Sequence, residues 1–154
     1  MVMKKGQAAL DFLMTYGWAI ALVVIVAAAL FALGVFDVSN FVGTKAAGFS
    51  GVAVQGWSMT GATGILSVKL TNQVGQRINI TGVSATIGAT TNALNTTDGV
   101  ILATGETSSA LANTVAFTGI NAGAGYQAAL HINYTDLNSG FAASTTGTLT
   151  GKAV

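Results

Sequence analysis

The fold is decided by one uncharged stretch, FLMTYGWAIALVVIVAAALFALGVF, which occupies residues 12–36. At about 1.5 Å per residue, an α-helix of this length extends ~37 Å, which is enough to cross a bilayer core of about 30 Å. The stretch is apolar on every side, so its helix must be covered all round by lipid, by other helices, or by each in turn. We therefore predict a hydrophobic helix over residues 7–36.

Charge is scarce in the whole chain of 154 residues. Charged side chains make up 7 % of it, with six Lys and Arg against five Asp and Glu, where soluble proteins have roughly 25 %. So few basic residues predict no nucleic-acid partner. Cysteine is absent, which excludes disulfides and cysteine-based metal sites. The composition favours a membrane, secreted or densely assembled protein of about one domain.

Beyond residue 36 the chain is rich in Thr, Ser, Asn and Gly, with short runs of alternating apolar residues. Such alternation predicts β-strands with one buried side. Strands are expected at 66–71, 78–87, 126–135 and, returning antiparallel after a turn, 141–153. Shorter strands are expected at 52–54, 57–59, 100–103 and 115–117, and the segment 88–113 could be a loop. The predicted fold is α+β: a long N-terminal hydrophobic helix followed by a small antiparallel β-sandwich head over residues 37–154.

Two lysines, Lys4 and Lys5, stand directly before the apolar stretch. Positive charge at one end of a spanning helix holds that end in the cytoplasm, so the head should lie outside the membrane. The apolar stretch is longer than the roughly 7–15 residues of a secretory signal, and no Ala-x-Ala cleavage site follows it. Cleavage by ordinary signal peptidase is not expected.

The run Lys4-Lys5-Gly6-Gln7 ahead of an apolar helix resembles the class III signal of archaeal type IV pilins, and residues 12–20 are similar to the helix opening of many such pilins. The resemblance covers residues 1–36. It implies a type IV pilin-like fold and cleavage between Gly6 and Gln7 by a prepilin peptidase, which removes residues 1–6 as a leader. It also implies that subunits leave the membrane with the help of a pilus assembly machinery and join, helix against helix, in a homo-oligomeric adhesion filament.

Asp11 is the one acidic residue in this N-terminal region. The resemblance implies that its carboxylate pairs with the new terminal amine of a neighbouring subunit. A second interpretation is that Asp11 caps the start of the helix, where the macrodipole favours a negative charge. Both interpretations stay open at the level of sequence.

Large apolar side chains of the helix are expected to form the core of the assembled filament. Small residues between them, mainly Ala and Gly, allow close approach of helix backbones. Tyr16 and Trp18 could instead be interfacial anchors, but they lie one or two turns inside the span. The expected packing residues are Phe12, Tyr16, Trp18, Ile20, Val24 and Phe31.

The head offers little for catalysis. Its one histidine, His131, is expected on the outer side of a strand, opposite Leu130 and Ile132. The acidic residues are spread along the chain, with no close pair suited to acid–base chemistry, and no Gly-x-Ser-x-Gly motif is present. We predict no enzymatic activity, no cofactor and no metal site.

Three sequons for N-linked glycosylation occur in the head, beginning at Asn79, Asn95 and Asn133. Asn79 and Asn133 fall on predicted strands, and both should face outward because their apolar neighbours take the opposite side. Sugars there would supply the hydration that the missing charges do not.

The sequence as a whole favours the major structural pilin of an archaeal filament, inserted in the membrane as a precursor and extracellular after assembly. One alternative is an archaeal flagellin-like subunit or a minor pilin. A second is a surface binding module held in the membrane by an uncleaved signal anchor. The N-terminus of the mature protein distinguishes this last alternative from the filament subunits.

Overall fold

The computed structural model describes residues 3–33, 35, 43–96 and 99–154. The predicted α+β layout, an apolar helix followed by antiparallel strands, is confirmed. The chain divides into two compact units, Met1–Asn40 and Phe41–Val154. In the described part the elements are α1 (Met3–Ala32), β1 (Lys45–Ala47), β2 (Val52–Thr60), β3 (Ile65–Asn72), β4 (Ile78–Ile87), β5 (Thr90–Leu94), β6 (Val100–Leu102), β7 (Leu111–Ala112), β8 (Gly125–Asp136) and β9 (Ala142–Lys152).

The first unit is dominated by α1, a single helix of 30 residues. Glycines inside a helix cost about 1 kcal/mol each relative to alanine, yet α1 continues through Gly6 and Gly17. Past its end, the N–H groups of Leu33 and Val35 still bond back to the carbonyls of Ala29 and Leu30, at 2.9 and 3.1 Å. Residues 34 and 36 of the predicted helix lie outside the described residues.

The second unit contains two antiparallel sheets. The large sheet has the strand order β1-β9-β8-β4-β5, and β6 pairs with β4 as well. The small sheet has the order β2-β3-β7. The two long strands β8 and β9 pair along their length from Gly125 opposite Lys152 to Thr135 opposite Ala142, as the turn between them predicts.

Alternation along the strands builds one hydrophobic core from both sheets. In β3, Leu66, Val68 and Leu70 are at most 1 % exposed, whereas Lys69 between them is exposed. In β8, the buried residues are Tyr126, Ala128, Leu130, Ile132 and Tyr134. The inward residues of both sheets belong to a single cluster, so burial in the head comes from its own two sheets.

Two of the short strands predicted from sequence are one strand in the structure. Residues 52–54 and 57–59 both lie in β2, which continues through an irregularity between Val54 and Gly56. The bulge inserts an extra residue and lets apolar positions on both sides of it face the same way. This is why the alternation of apolar and polar residues is interrupted at Gln55.

The strand predicted at residues 115–117 is wrong. Val115 is 63 % exposed, and its carbonyl accepts hydrogen bonds from the side-chain amides of Asn92 and Asn113. The N–H of Phe117 donates to the carbonyl of Gly64 at 2.8 Å. Side-chain amides and a turn therefore satisfy backbone groups that a partner strand would otherwise satisfy.

The segment 88–113, which could have been a loop, contains β5, β6 and β7. β5 returns along β4 through two residues, because Ile87 pairs with Thr90. Gly88 adopts a positive φ of 60° in this turn, a conformation that costs little only without a Cβ atom. β6 matches the strand expected at residues 100–103, whereas β5 and β7 were not predicted. β1, a strand of three residues at the edge of the large sheet, was also not predicted.

Candidate functional site

Helix α1 is the first candidate, because its apolar surface is uncovered. The most apolar 18-residue window within Ala8–Ala32 has a mean hydropathy of 2.3, and none of this window is buried. Trp18 is 68 % exposed and Phe31 70 %. By length and composition α1 could cross a membrane, and a signal sequence near the N-terminus would meet the same criteria.

Four of the six expected packing residues line one groove along α1. Phe12, Tyr16, Ile20 and Val24 follow one another in steps of four, which keeps them on one side of the helix. The aromatic rings of Phe12 and Tyr16 contact each other with centroids 4.7 Å apart. The groove has a volume of about 390 Å³ and is lined by Phe12, Tyr16, Ala19, Ile20, Val23 and Val24.

The other two packing residues take different positions. Trp18 is two residues from both Tyr16 and Ile20, about 200° around the helix, so it projects from the side opposite the groove. Phe31 follows Val24 by seven residues, about two turns, and returns to the groove side. The structure thus brings five of the six residues to one side of α1.

Asp11 is exposed and lies well inside the helix. α1 begins at Met3, and its first turn holds no acidic residue. Because the macrodipole effect falls off within the first turn, the interpretation of Asp11 as a cap of the helix start is wrong for the uncut chain. The hydroxyl of Thr15 donates to the backbone carbonyl of Asp11 at 2.7 Å. Pairing of the Asp11 carboxylate with a neighbouring subunit stays a prediction.

Gly6, on one side of the predicted cleavage position, is exposed within α1. A Cβ atom added to Gly6 would meet no heavy atom within 4 Å. The side chains of Lys4, Lys5 and Gln7 lie outside the described residues. Cleavage between Gly6 and Gln7 therefore stays a prediction.

The first sequon residue, Asn79, is half-buried. It lies on β4 between the buried Ile78 and Ile80, as predicted, but its side-chain oxygen Oδ1 is itself buried. A Cβ atom added to Gly99 would stand 2.5 Å from Asn79 Oδ1 and 3.1 Å from Nδ2. The backbone at Gly99 therefore lies directly over the amide to which a sugar would be attached.

The other two sequon residues, Asn95 and Asn133, are exposed. Asn133 lies on β8 and faces outward, as predicted, between the inward Ile132 and Tyr134. Asn95 follows β5, and its backbone N–H donates to the carbonyl of Ala112 at 2.8 Å. Thr97, the last residue of the Asn95 sequon, lies outside the described residues.

His131 is exposed on the outer side of β8, opposite Ser84 of β4 and Thr146 of β9. The prediction that it faces away from Leu130 and Ile132 is confirmed. Within residues 3–33, 35, 43–96 and 99–154, no three His, Cys, Asp or Glu side chains come close enough to hold a metal ion. The cross-strand partners of His131, Ser84 and Thr146, both carry hydroxyl groups.

Among the described residues of the head, Asp136 and Tyr126 have shifted pKa values, and both shifts have structural causes. The N–H groups of Asn138 and Ser139 donate to the Asp136 carboxylate at 2.7 and 3.2 Å and lower its pKa. Burial raises the pKa of the Tyr126 hydroxyl, and an interaction with the Trp57 side chain opposes part of the rise. Asp136 thus stabilises the predicted β8–β9 turn, and Tyr126 belongs to the core.

Two features of these candidate sites were not predicted from the sequence. Ala19 and Val23 contribute to the groove of α1, and their spacing of seven and eleven residues from Phe12 would have indicated the same helix side. The cover over Asn79 depends on Gly99, twenty residues further along the chain, and no local pattern indicates it. No protein-family model matches the chain, and no curated protein matches it either.

Proposed function

We propose that the chain is the major structural subunit of an archaeal type IV pilus or related adhesion filament. In this proposal a prepilin peptidase cleaves between Gly6 and Gln7, α1 forms the filament core, and the head lies on the outside. The observation that carries the proposal is a long apolar helix with no cover of its own, preceding a head with a complete core. The resemblance of residues 1–36 to archaeal pilins supplies the class of filament.

Burial of α1 provides the driving force for assembly. About twenty apolar side chains, each worth about 1.5–3 kcal/mol on burial, amount to tens of kcal/mol per subunit before the costs of association. Lipid supplies this burial for the precursor, and only other copies of the helix can supply it in a filament. The groove around Ala19 has room for a side chain from a neighbouring helix.

Asp11 gives the assembly a polar contact. In the apolar core of a filament an unpaired carboxylate costs several kcal/mol, so Asp11 requires a positive partner or a proton. The terminal amine that cleavage creates at Gln7 of a neighbouring subunit is the proposed partner. Asp11 and Trp18 are seven residues apart and so share the side of α1 opposite the groove, which would place this partner on a different neighbour from the one in the groove.

The experiment is expression of the full chain in archaeal cells that assemble pili, followed by shearing of the cell surface. Electron microscopy should show filaments, and mass spectrometry of the sheared subunit should give an N-terminus at Gln7. A Gly6→Leu variant, which changes the residue at the cut, should stay in the membrane with Met1 to Gly6 attached. Wild-type protein that stays in the membrane uncleaved would overturn the proposal and favour a surface binding module with a signal anchor.

A further inference from the structure

The outer side of the large sheet contains a hollow next to Asn133. Asn133 lies on β8 opposite Ser144 of β9 and Gly82 of β4. The hollow has a volume of about 430 Å³ and is lined by Thr81, Asn133, Tyr134, Ala142, Ala143 and Ser144. This volume falls within the roughly 300–1,000 Å³ of small-molecule sites in proteins.

Small residues create the hollow. Gly82, beside Asn133, has no side chain, and a Cβ atom added there would come no closer than 3.9 Å to Asn133 Nδ2. The register between β4 and β8 shifts between Ile80 and Gly82, which interrupts the regular row of outward side chains. Tyr134, the large residue next to Asn133, points inward and is 9 % exposed. The Asn133 amide therefore stands beside open space in the folded head.

The neighbouring sequon provides an internal comparison. Asn79 of β4 pairs with Thr135 of β8, the hydroxyl residue of the Asn133 sequon. The two asparagines are therefore close on the same side of one sheet, yet Gly99 covers the amide of Asn79. A sugar on Asn79 would meet the backbone at Gly99, whose N–H donates to the carbonyl of Thr96 at 2.9 Å. Asn133 is exposed and lines the hollow, so a sugar on it would enter open space.

We propose that Asn133 carries an N-linked glycan whose first sugar occupies this hollow, and that Asn79 is unmodified. The donor would be an oligosaccharide linked to a lipid phosphate, used by a membrane-bound transferase on the outer side of the membrane. Asn133 Nδ2 forms a bond to the anomeric carbon of the sugar and loses one proton to a base. The bond between that carbon and the phosphate oxygen breaks, and the lipid phosphate leaves with the bonding electrons.

The surroundings of Asn133 suit a carbohydrate. Ser144 and Thr146 of β9 are exposed beside it, and their hydroxyl groups can donate and accept hydrogen bonds. Neither is charged, and charged residues are only 7 % of the chain. The glycan would therefore hydrate a part of the sheet that has few other strongly hydrated groups. The inference uses one element of the proposed function, the location of the head outside the membrane.

The test is glycopeptide mapping of the full chain expressed in an archaeal host that N-glycosylates its surface proteins. Protein is collected separately from the sheared surface fraction and from the membrane, digested, and analysed by fragmentation mass spectrometry. We expect a glycan on the peptide containing Asn133 and the unmodified mass on the peptide containing Asn79. Thr135→Ala removes the sequon and should abolish the Asn133 glycan.

Matched variants complete the test. Thr135→Ser preserves the sequon and should keep the glycan, and Asn79→Ser, which removes the other sequon without changing the lining of the hollow, should leave the glycan pattern unchanged. An unmodified Asn133 in subunits from surface filaments would overturn this inference and leave the proposed function standing. A glycan on Asn79 in folded protein would also overturn it. Unmodified protein found only inside the cell would overturn both proposals.

Discussion

Leu130 of β8 is completely buried, whereas Leu22 of α1, a side chain of the same size, is 53 % exposed. The difference extends to the two units as wholes. In the head, inward residues of two sheets cover one another in a single core. In α1, large apolar residues are exposed around the helix. The head therefore buries its own apolar side chains, whereas the exposed apolar side chains of α1 favour an apolar environment.

Separation of the two units should have the largest effect. A truncated chain of residues 43–154 should be a soluble monomer with a cooperative thermal transition, because its core is complete. The full chain in the same buffer without detergent should form filaments or aggregates, with no detectable monomer. Light scattering coupled to size-exclusion chromatography measures both. The full chain in detergent is the control, and it should disperse.

Fibres grown from residues 43–154 alone would show that the head polymerises without α1. A full chain that stays monomeric in plain buffer would show that its apolar helix needs no cover. Either result would remove the distinction between the two units and the proposed function with it.

Two leucines of the head that differ in burial should differ in their contribution to stability. Leu130→Ala in the truncated chain should lower the free energy of unfolding by about 2–5 kcal/mol, because it removes buried methyl groups and leaves a cavity. Leu137→Ala, in the β8–β9 turn, changes a side chain that is 46 % exposed, and it should cost less than about 1 kcal/mol. Urea denaturation measures both, and equal losses would contradict the core described above.

The sequence predicts the helix and the long strands better than the short strands and loops of the head. The helix is a long apolar run, and the long strands are alternating runs, so β3, β4, β8 and β9 were predicted close to their observed positions. In these segments a local pattern determines which side is buried.

The wrong predictions concern segments in which a side chain distant in sequence bonds to backbone groups that a neighbouring strand would otherwise pair with. Asn113 is 4 % exposed, and its amide bonds to the backbone of Leu66, Gly64 and Val115. These bonds join residues up to 49 positions apart, so no local pattern indicates them. The proximity of Gly99 to Asn79 was not predicted for the same reason. Asn79 and Asn133 were both predicted to face outward, but they differ in exposure.

The next prediction concerns the groove of α1 as a contact between subunits. Ala19→Phe should fill the groove between Phe12, Tyr16 and Val23, and overpacking costs about 1–3 kcal/mol per contact. Filament yield should fall by about 5- to 150-fold, the equivalent of that free energy. Insertion in the membrane should be unchanged, because lipid accommodates the larger residue.

Ala21→Phe is the matched control, since Ala21 lies about 200° around the helix from Ala19. Sheared filament yield per cell, normalised to precursor in the membrane, measures the effect. If both variants assemble like the wild type, the groove is not a contact between subunits. If Ala21→Phe is the more damaging, the opposite side of α1 makes the closer contact.

The unfolding free energy of the head should depend weakly on pH through Asp136. The N–H groups of Asn138 and Ser139 bond to the Asp136 carboxylate and lower its pKa in the folded state. A folded pKa below the unfolded value means that ionised Asp136 adds stability above about pH 4, the ordinary range of an aspartate. This contribution is lost as the pH falls through the folded pKa. Asp136→Asn keeps a neutral acceptor oxygen, so the wild type should exceed this variant in unfolding free energy at pH 6, with a smaller difference at pH 3.

Urea denaturation of the truncated chain at several pH values measures this difference. Asp136→Ala removes the acceptor at every pH and should be less stable than Asp136→Asn throughout. A constant difference between wild type and Asp136→Asn from pH 3 to pH 6 would mean that the bonds to Asn138 and Ser139 do not favour the charged form. An exposed turn has modest effects because solvent also stabilises the carboxylate. We expect Asp136→Asn to lower the unfolding free energy slightly and in a pH-dependent way, and Leu130→Ala to lower it by much more at every pH. This result would show that the stability of the head comes mainly from its core.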